Sequence, residues 1–385
     1  MFSDRTNWNL ETNRLSEALA KHRASGKRLF DLVASNPTVC GFDYDGAAIL
    51  KALTNPVGLG YAADPKGMLS SREAVSTYYA ERNGQVSPED IVMTTSTSEA
   101  YSFVFRMLCN AGDELLIPSP SYPLFDYLAE LSDVKLVRYP LVYDHGWQID
   151  FQSLDKAITP RTRGIIVVHP NNPTGHFAEA TDTARLNEIC AAREMALIVD
   201  EVFLDFGLSG KRAASFATNK SALTFTMSGL SKICGLPQMK VAWLVTSGPA
   251  DLTERALARL EVVADTYLSM SAPLQAATPA FLIQRHAFQQ QLMARVRENL
   301  MELDRQLGGQ ETCRRLEVEG GWYAVLRVPV TRSDENLALE ALTKKDVYVH
   351  PGHFFDFPGE GYLVLSLITP KRDFSEGMVR LLSMI

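Results

Sequence analysis

From Ile91 onward the chain alternates short apolar runs of strand length with longer amphipathic segments, and few folds accept that alternation. The runs are Ile91 to Thr94, Glu114 to Ile117, Lys135 to Arg138, Gly164 to His169, Ala196 to Asp200, Leu223 to Thr226 and Val241 to Thr246. Several lack any polar alternation, as strands do when helices cover both faces. The pattern predicts an α/β sheet of about seven strands, mostly parallel and covered by helices. Ligands of such sheets sit in the loops that follow strand ends, so candidate site residues should follow the runs.

They do so repeatedly. Ile91 to Thr94 leads into Thr95-Ser96-Thr97-Ser98-Glu99, which opens a helical stretch from Tyr101 to Cys109. Ser96 with Glu99 reads as a capping box, while free amides and hydroxyls at the same helix start read as an anion site. Glu114 to Ile117 leads into Pro118-Ser119-Pro120-Ser121-Tyr122-Pro123, a stiff turn that presents one aromatic ring. Gly164 to His169 leads into Pro170-Asn171-Asn172-Pro173-Thr174-Gly175, dense in turn-formers and able to hold a cis Asn172-Pro173 bond. His169 has no visible catalytic partners and reads as structural. Ala196 to Val199 ends on Asp200, a buried acid that needs a partner such as a cationic ring nitrogen; Glu201 faces the other way and reads as structural.

After Leu223 to Thr226 comes Ser228-Gly229-Leu230-Ser231-Lys232-Ile233-Cys234-Gly235. A lysine among small and apolar neighbours is partly desolvated, which makes its amine nucleophilic toward carbonyls. Lysine, aspartate, asparagine turn, aromatic turn and helix-start anion cradle together read as five parts of one cofactor site.

The flanks are simpler. A helix is expected from Glu11 to Ala24, long helices over 251–270 and 286–305, and strand-like pieces at Trp322 to Val328, Val347 to His350 and Tyr362 to Leu367. The expected division is a large domain over 46–270 and a smaller α+β domain formed by 1–45 with 271–385. Gly58-Leu59-Gly60-Tyr61 superficially resembles a dinucleotide fingerprint, but Asn55-Pro56 precedes it instead of a strand, so that reading is rejected.

A formal net charge of -7 leaves no basic footprint for nucleic acid or an anionic membrane. Five scattered cysteines with no Cys-x-x-Cys pair or histidine cluster suit free thiols, no metal site and a reducing cytoplasm. The N-terminal residues lack the apolar core of a signal peptide, and no run approaches membrane-spanning length.

In this order the motifs resemble those of class I/II aminotransferases, the fold type I enzymes that use pyridoxal 5'-phosphate, over nearly the whole chain. The resemblance implies that Lys232 forms the internal aldimine and shuttles a proton. It implies Asp200 at the pyridine nitrogen, Asn172 at the phenolic oxygen, and Tyr122 stacked on the ring. Ser96, Thr97 and Ser98, with Ser228 or Ser231, would contact the phosphate. Tyr61 would reach the phosphate of a neighbouring subunit, which implies a homodimer. Three positions depart from the family pattern: Lys240 stands for a phosphate-binding arginine, Phe203 for a tyrosine near the phenolic oxygen, and Val364 for the arginine that binds the substrate carboxylate. Arg5, Lys371 and Arg372 are candidates for the missing cation, with Arg5 favoured. The expected activity is transfer of an amino group from a small or hydrophobic α-amino acid to a 2-oxo acid. The alternatives are a lyase, decarboxylase or synthase on the same scaffold, or a sensor that binds the cofactor without turnover.

Overall fold

A computed structural model describes residues 1–61, 63–208, 210, 212–268 and 270–385. Its main sheet has strands β1 (Ile91–Thr94), β2 (Glu114–Ser119), β3 (Lys135–Tyr143), β4 (Trp147–Ile149), β5 (Thr162–Val168), β6 (Ala196–Asp200), β7 (Thr224–Gly229) and β8 (Ala242–Ser247). The spatial order is β1-β8-β7-β6-β5-β2-β3-β4. All seven predicted runs are strands, and the eighth is β4. Its three residues are too few to show a period, and they pair antiparallel with the end of β3 after the Asp144-His145-Gly146 turn.

Strands β2, β3, β5, β6 and β7 are mutually parallel, and β8 runs against β7 and β1. Two reversals restore direction, so β1 points the same way as β7. The loops after β1, β2, β5, β6 and β7 therefore leave from one edge, where the chain also enters β8.

Apolar residues on both sides of each central strand explain the sheet's burial. In β6, Ala196 and Ile198 join a core with Val104, Phe105 and Phe225, while Leu197 and Val199 join another with Leu116, Ile165 and Leu186. Alternate residues feed opposite cores, so helices on both faces are required.

A four-stranded antiparallel sheet joins Arg314–Arg315, Tyr323–Arg327, Tyr362–Ser366 and His350–Pro351, and Phe30–Asp31 pairs in parallel with Val347–Tyr348. The N-terminal helix is Arg14–Ala24, shorter than expected because the Asn13 side chain accepts from the Ser16 N–H and caps it there. The helix expected over 251–270 is Ala250–Tyr267; it stops where Leu268 adopts φ 68°, and Ser269 lies outside the described residues. The helix expected over 286–305 is the second part of a 36-residue helix, Ala272–Leu307. Pro279 sits inside it, a breaker overridden by packing: Phe281 and Leu282 enter one core, Phe288, Leu292 and Val296 another.

One seam holds the β2 turn against the smaller sheet. The Ser121 N–H donates to the Phe355 carbonyl at 2.9 Å and the Ser119 hydroxyl to the Asp356 carbonyl at 2.7 Å. Arg138 bridges Asp126 and Asp356. All five cysteines are free, and among the described residues no helix is long and apolar enough to cross a membrane.

Gly235 closes the turn after Lys232 at φ +64°, and a Cβ there would meet the Phe288 ring at 2.4 Å. Strain and overpacking add, so Gly235→Ala is expected to lower unfolding free energy by about 2–4 kcal/mol in a urea titration.

Candidate active site

Asp200 ends β6 and is buried. Its Oδ1 accepts from the Val202 N–H at 3.0 Å and its Oδ2 from the Tyr101 hydroxyl at 3.2 Å. Burial raises its pKa to about 6, opposed by those two donors and by the charge of Lys232. Tyr101 did not stand out in the sequence. Its position one turn into the helix Thr97–Leu108, directly behind the expected anion cradle, is the signal that could have found it.

Lys232 lies in the short helix Leu230–Ile233 that leaves β7. Its Nζ is 5.3 Å from the Trp322 ring centroid and 5.8 Å from that of Phe203, within cation–π range. Burial lowers its pKa, and Asp200 partly opposes the shift. Desolvation thus favours the neutral amine, the form that attacks carbonyls. Phe203 is buried and meets Trp322 edge-on at 4.9 Å and Tyr323 at 6.0 Å. Trp322, the second aromatic under the lysine, looked in sequence like the start of an ordinary strand.

The Asn171-Asn172 turn is tied to the Tyr122 turn, because the Asn171 amide donates to the Pro120 carbonyl at 3.1 Å and to Thr174 Oγ1 at 3.0 Å. The Asn172-Pro173 bond is cis. Asn172 Oδ1 is buried without a partner among the described residues. A buried acceptor left unpaired costs about 1–3 kcal/mol, which a bound ligand's donor relieves. Tyr122 remains 42% exposed. Desolvation, followed by the nearby Tyr323 and Asp200, pushes its pKa up to about 12.

At the end of β1 both readings of the helix start are compatible. Ser96 Oγ accepts from the Glu99 N–H at 3.1 Å, and Glu99 accepts from the Thr95 N–H at 2.7 Å. That cap fixes the loop while the Thr97 and Ser98 amides keep no partner among the described residues, a geometry suited to an oxyanion. Ser228 is buried and donates to the Glu201 carbonyl at 3.3 Å; Ser231 is half-buried on the same turn as Lys232.

Lys240 and Tyr61 stand apart from this group. Lys240 is exposed in a left-handed conformation just before β8, at the site edge. Tyr61 is 76% exposed. His169 accepts from the Ala178 N–H, and its other ring nitrogen meets the Ala214 carbonyl; burial lowers its pKa to about 3. It is a core histidine. Glu201 accepts from Ser215 and the Phe216 N–H, and it too is structural.

Arg5, favoured as the missing cation, pairs with Asp133. The Asp133 carbonyl accepts from Gly112, just ahead of β2, so Arg5 stands at the sheet edge opposite the site. Its short segment finds an acid there before it can fold across the cleft. Lys371 pairs with Glu298, and Arg372 is exposed. Val364, 1% exposed, packs in an apolar cluster with Val325 and Phe355, against which Tyr323 lies.

The family profile described as aminotransferase class I and II matches residues 48–372. The glutamate-pyruvate aminotransferase AlaA of Escherichia coli K12 is 28% identical over 360 residues, covering 90% of this chain and 86% of the relative. The alanine aminotransferase of Mycobacterium tuberculosis H37Rv is 27% identical over 374 residues, covering 94% and 86%. An alanine aminotransferase structure from Pyrococcus furiosus superposes with a TM-score of 0.89 at 22% identity, covering 100% and 99% of the two chains.

Burial raises Glu201 from 4.5 to about 7. The folded state therefore binds a proton that the unfolded chain has released, a contribution full below about 4.5 and lost as the pH rises through about 7. Glu201→Gln is expected to reduce the stability difference between pH 5 and pH 7 by on the order of 2 kcal/mol, read from urea titrations of apoprotein.

Proposed function

The chain belongs to the class I and II aminotransferases, whose members depend on pyridoxal phosphate, and we propose that it moves an amino group from a small or hydrophobic α-amino acid to a 2-oxo acid. The observation that carries this reading is the half-buried, desolvated Lys232 amine beside the buried Asp200 carboxylate, on one sheet edge. Relatives named glutamate-pyruvate and alanine aminotransferase make alanine and glutamate the first donors to test.

The donor set suits the cofactor. An acid at a strand end, unbonded helix-start amides and a desolvated lysine match a cationic ring nitrogen, a phosphate and a carbonyl carbon. When bound, pyridoxal phosphate supplies an electron-poor ring that accepts the electron pair released when a substrate Cα loses its proton. Asp200 would hold a proton at the ring nitrogen. The Thr97 and Ser98 amides, with the hydroxyls of Ser96, Thr97, Ser98, Ser228 and Ser231 and the Lys240 charge, would hold the phosphate. Asn172 would orient the ring from one edge and Tyr122 would lie against its face. Lys232, a neutral amine after substrate takes its place, would move the α-proton. Phe203 and Trp322 keep water from that amine.

We further propose the division into a large domain over 46–270 and a small one from 1–45 and 271–385, a cytoplasmic location and a homodimer. The dimer is supported by Val57, Leu59, Tyr61 and Leu268, large apolar side chains exposed in segments that flank the start of the helix Ala272–Leu307. Tyr61 would then serve the neighbouring site.

Single amino acids added to the purified holoenzyme should bleach the cofactor's visible band, with the matching 2-oxo acid released; alanine is expected to act first. A band unchanged by every amino acid would favour the lyase reading, with Val364 as its cause. Phe203→Tyr places a phenol beside Lys232 and is expected to lower the pH midpoint of that band by about one unit, seen in an absorbance titration. An unmoved midpoint would exclude a role for this position at the cofactor.

A further inference from the structure

Behind the Lys232 turn lies a cavity of about 340 Å³ between the C-terminal end of the helix Leu69–Ala80, the segment after β6 and the helix Ala272–Leu307. Its lining is dominated by arginine: Arg82, Arg212, Arg285 and Arg297 against the two carboxylates Glu81 and Asp205. Both carboxylates are already engaged. Arg82 pairs with Asp205 at 2.7 Å and Arg285 pairs with Glu81. Asp205 also accepts from the Tyr78 hydroxyl at 3.0 Å and the Gln289 amide at 2.7 Å. Arg297 and Arg212 are exposed and have no acidic partner among the described residues.

Four guanidinium groups around one cavity, with two of the charges uncompensated, repel one another and attract anions. Guanidinium forks match the oxygens of phosphate and carboxylate groups, and Arg82, Arg212 and Arg297 line this cavity from three separate elements. We propose that this cavity binds a small dianion of phosphate or dicarboxylate type, held by Arg82, Arg212 and Arg297.

The site has a physical route to the catalytic lysine. The Gln289 amide donates both to Asp205 and to the carbonyl of Ile233, the residue after Lys232, at 3.0 Å. An anion that draws Arg82 toward itself weakens the hold on Asp205 and thereby changes what Gln289 can do at the Ile233 carbonyl. Occupancy is therefore read at the Lys232 turn, as a modest change in turnover rather than as competition with substrate. The binding claim stands apart from the transaminase reading; the coupling claim rests on it.

Isothermal titration of the holoenzyme, whose cofactor phosphate site is filled, tests binding first. Inorganic phosphate and succinate are the two probes, with chloride at equal ionic strength as the control. Saturable heat with a Kd of about 1 mM or tighter is expected from at least one dianion, and whichever binds names the source. Arg297→Gln, an exposed change that the fold tolerates, should weaken binding about tenfold, and Arg212→Gln similarly. Heat that is absent with both dianions, matched by chloride, or unchanged in both variants overturns the site. For the coupling, the bound dianion should shift kcat at saturating substrate in the wild type, and Gln289→Leu should keep the binding heat while losing the shift. Binding without any change in kcat overturns the coupling and leaves the site standing.

Discussion

A carboxylate and an amine share one largely desolvated pocket, and the rest of the architecture exists to keep them there. Neither Asp200 nor Lys232 would be buried cheaply alone, since burial pushes the acid up to about 6 and the amine down, each toward its neutral form. Two donors hold the acid and two aromatic rings shield the amine. The pair is a tension that a cationic ring nitrogen and a carbonyl carbon relieve together. Stability and chemistry therefore pull in opposite directions at this edge, as they commonly do at functional sites.

Two regions far apart in the chain supply the walls. The large sheet brings five strand-end loops to one edge, while Trp322 and Tyr323, at the start of the smaller sheet, close over Phe203. The seam through Ser119, Ser121, Phe355 and Asp356 ties the aromatic turn of the first to the last long loop of the second. Val364 sits behind that seam in an apolar cluster, so this position offers no charge to a substrate carboxylate.

Much of this was legible in the sequence because it is written in short periods and local punctuation. Seven strands carried short apolar-rich runs, several of them unbroken, and the loops after them carried the turn-formers and hydroxyls that mark strand-end chemistry. Asp200 and Lys232 could be read because ionisable residues stand out in apolar surroundings. Tyr101 and Trp322 could not, because a buried aromatic on a helix or strand looks like core until its partner across the fold is known. Arg5 failed for a related reason. Its acid, Asp133, is 128 residues away in sequence, and nothing local announces such a pair. Pro279 misled in the opposite sense, since two cores pulling on one helix outweighed the local cost of the ring.

The order of the sheet has a temporal side. Strand β1 has a single neighbour, β8, which is the last strand of this sheet to be made. The segment that carries Ser96, Thr97 and Ser98 therefore has no place to dock while the ribosome is still adding the following 150 or so residues. Until Ser247 emerges, an apolar strand and its helix wait at the growing protein's flank. The phosphate cradle is among the first parts of the site to be translated, yet it cannot dock until β8 has been made.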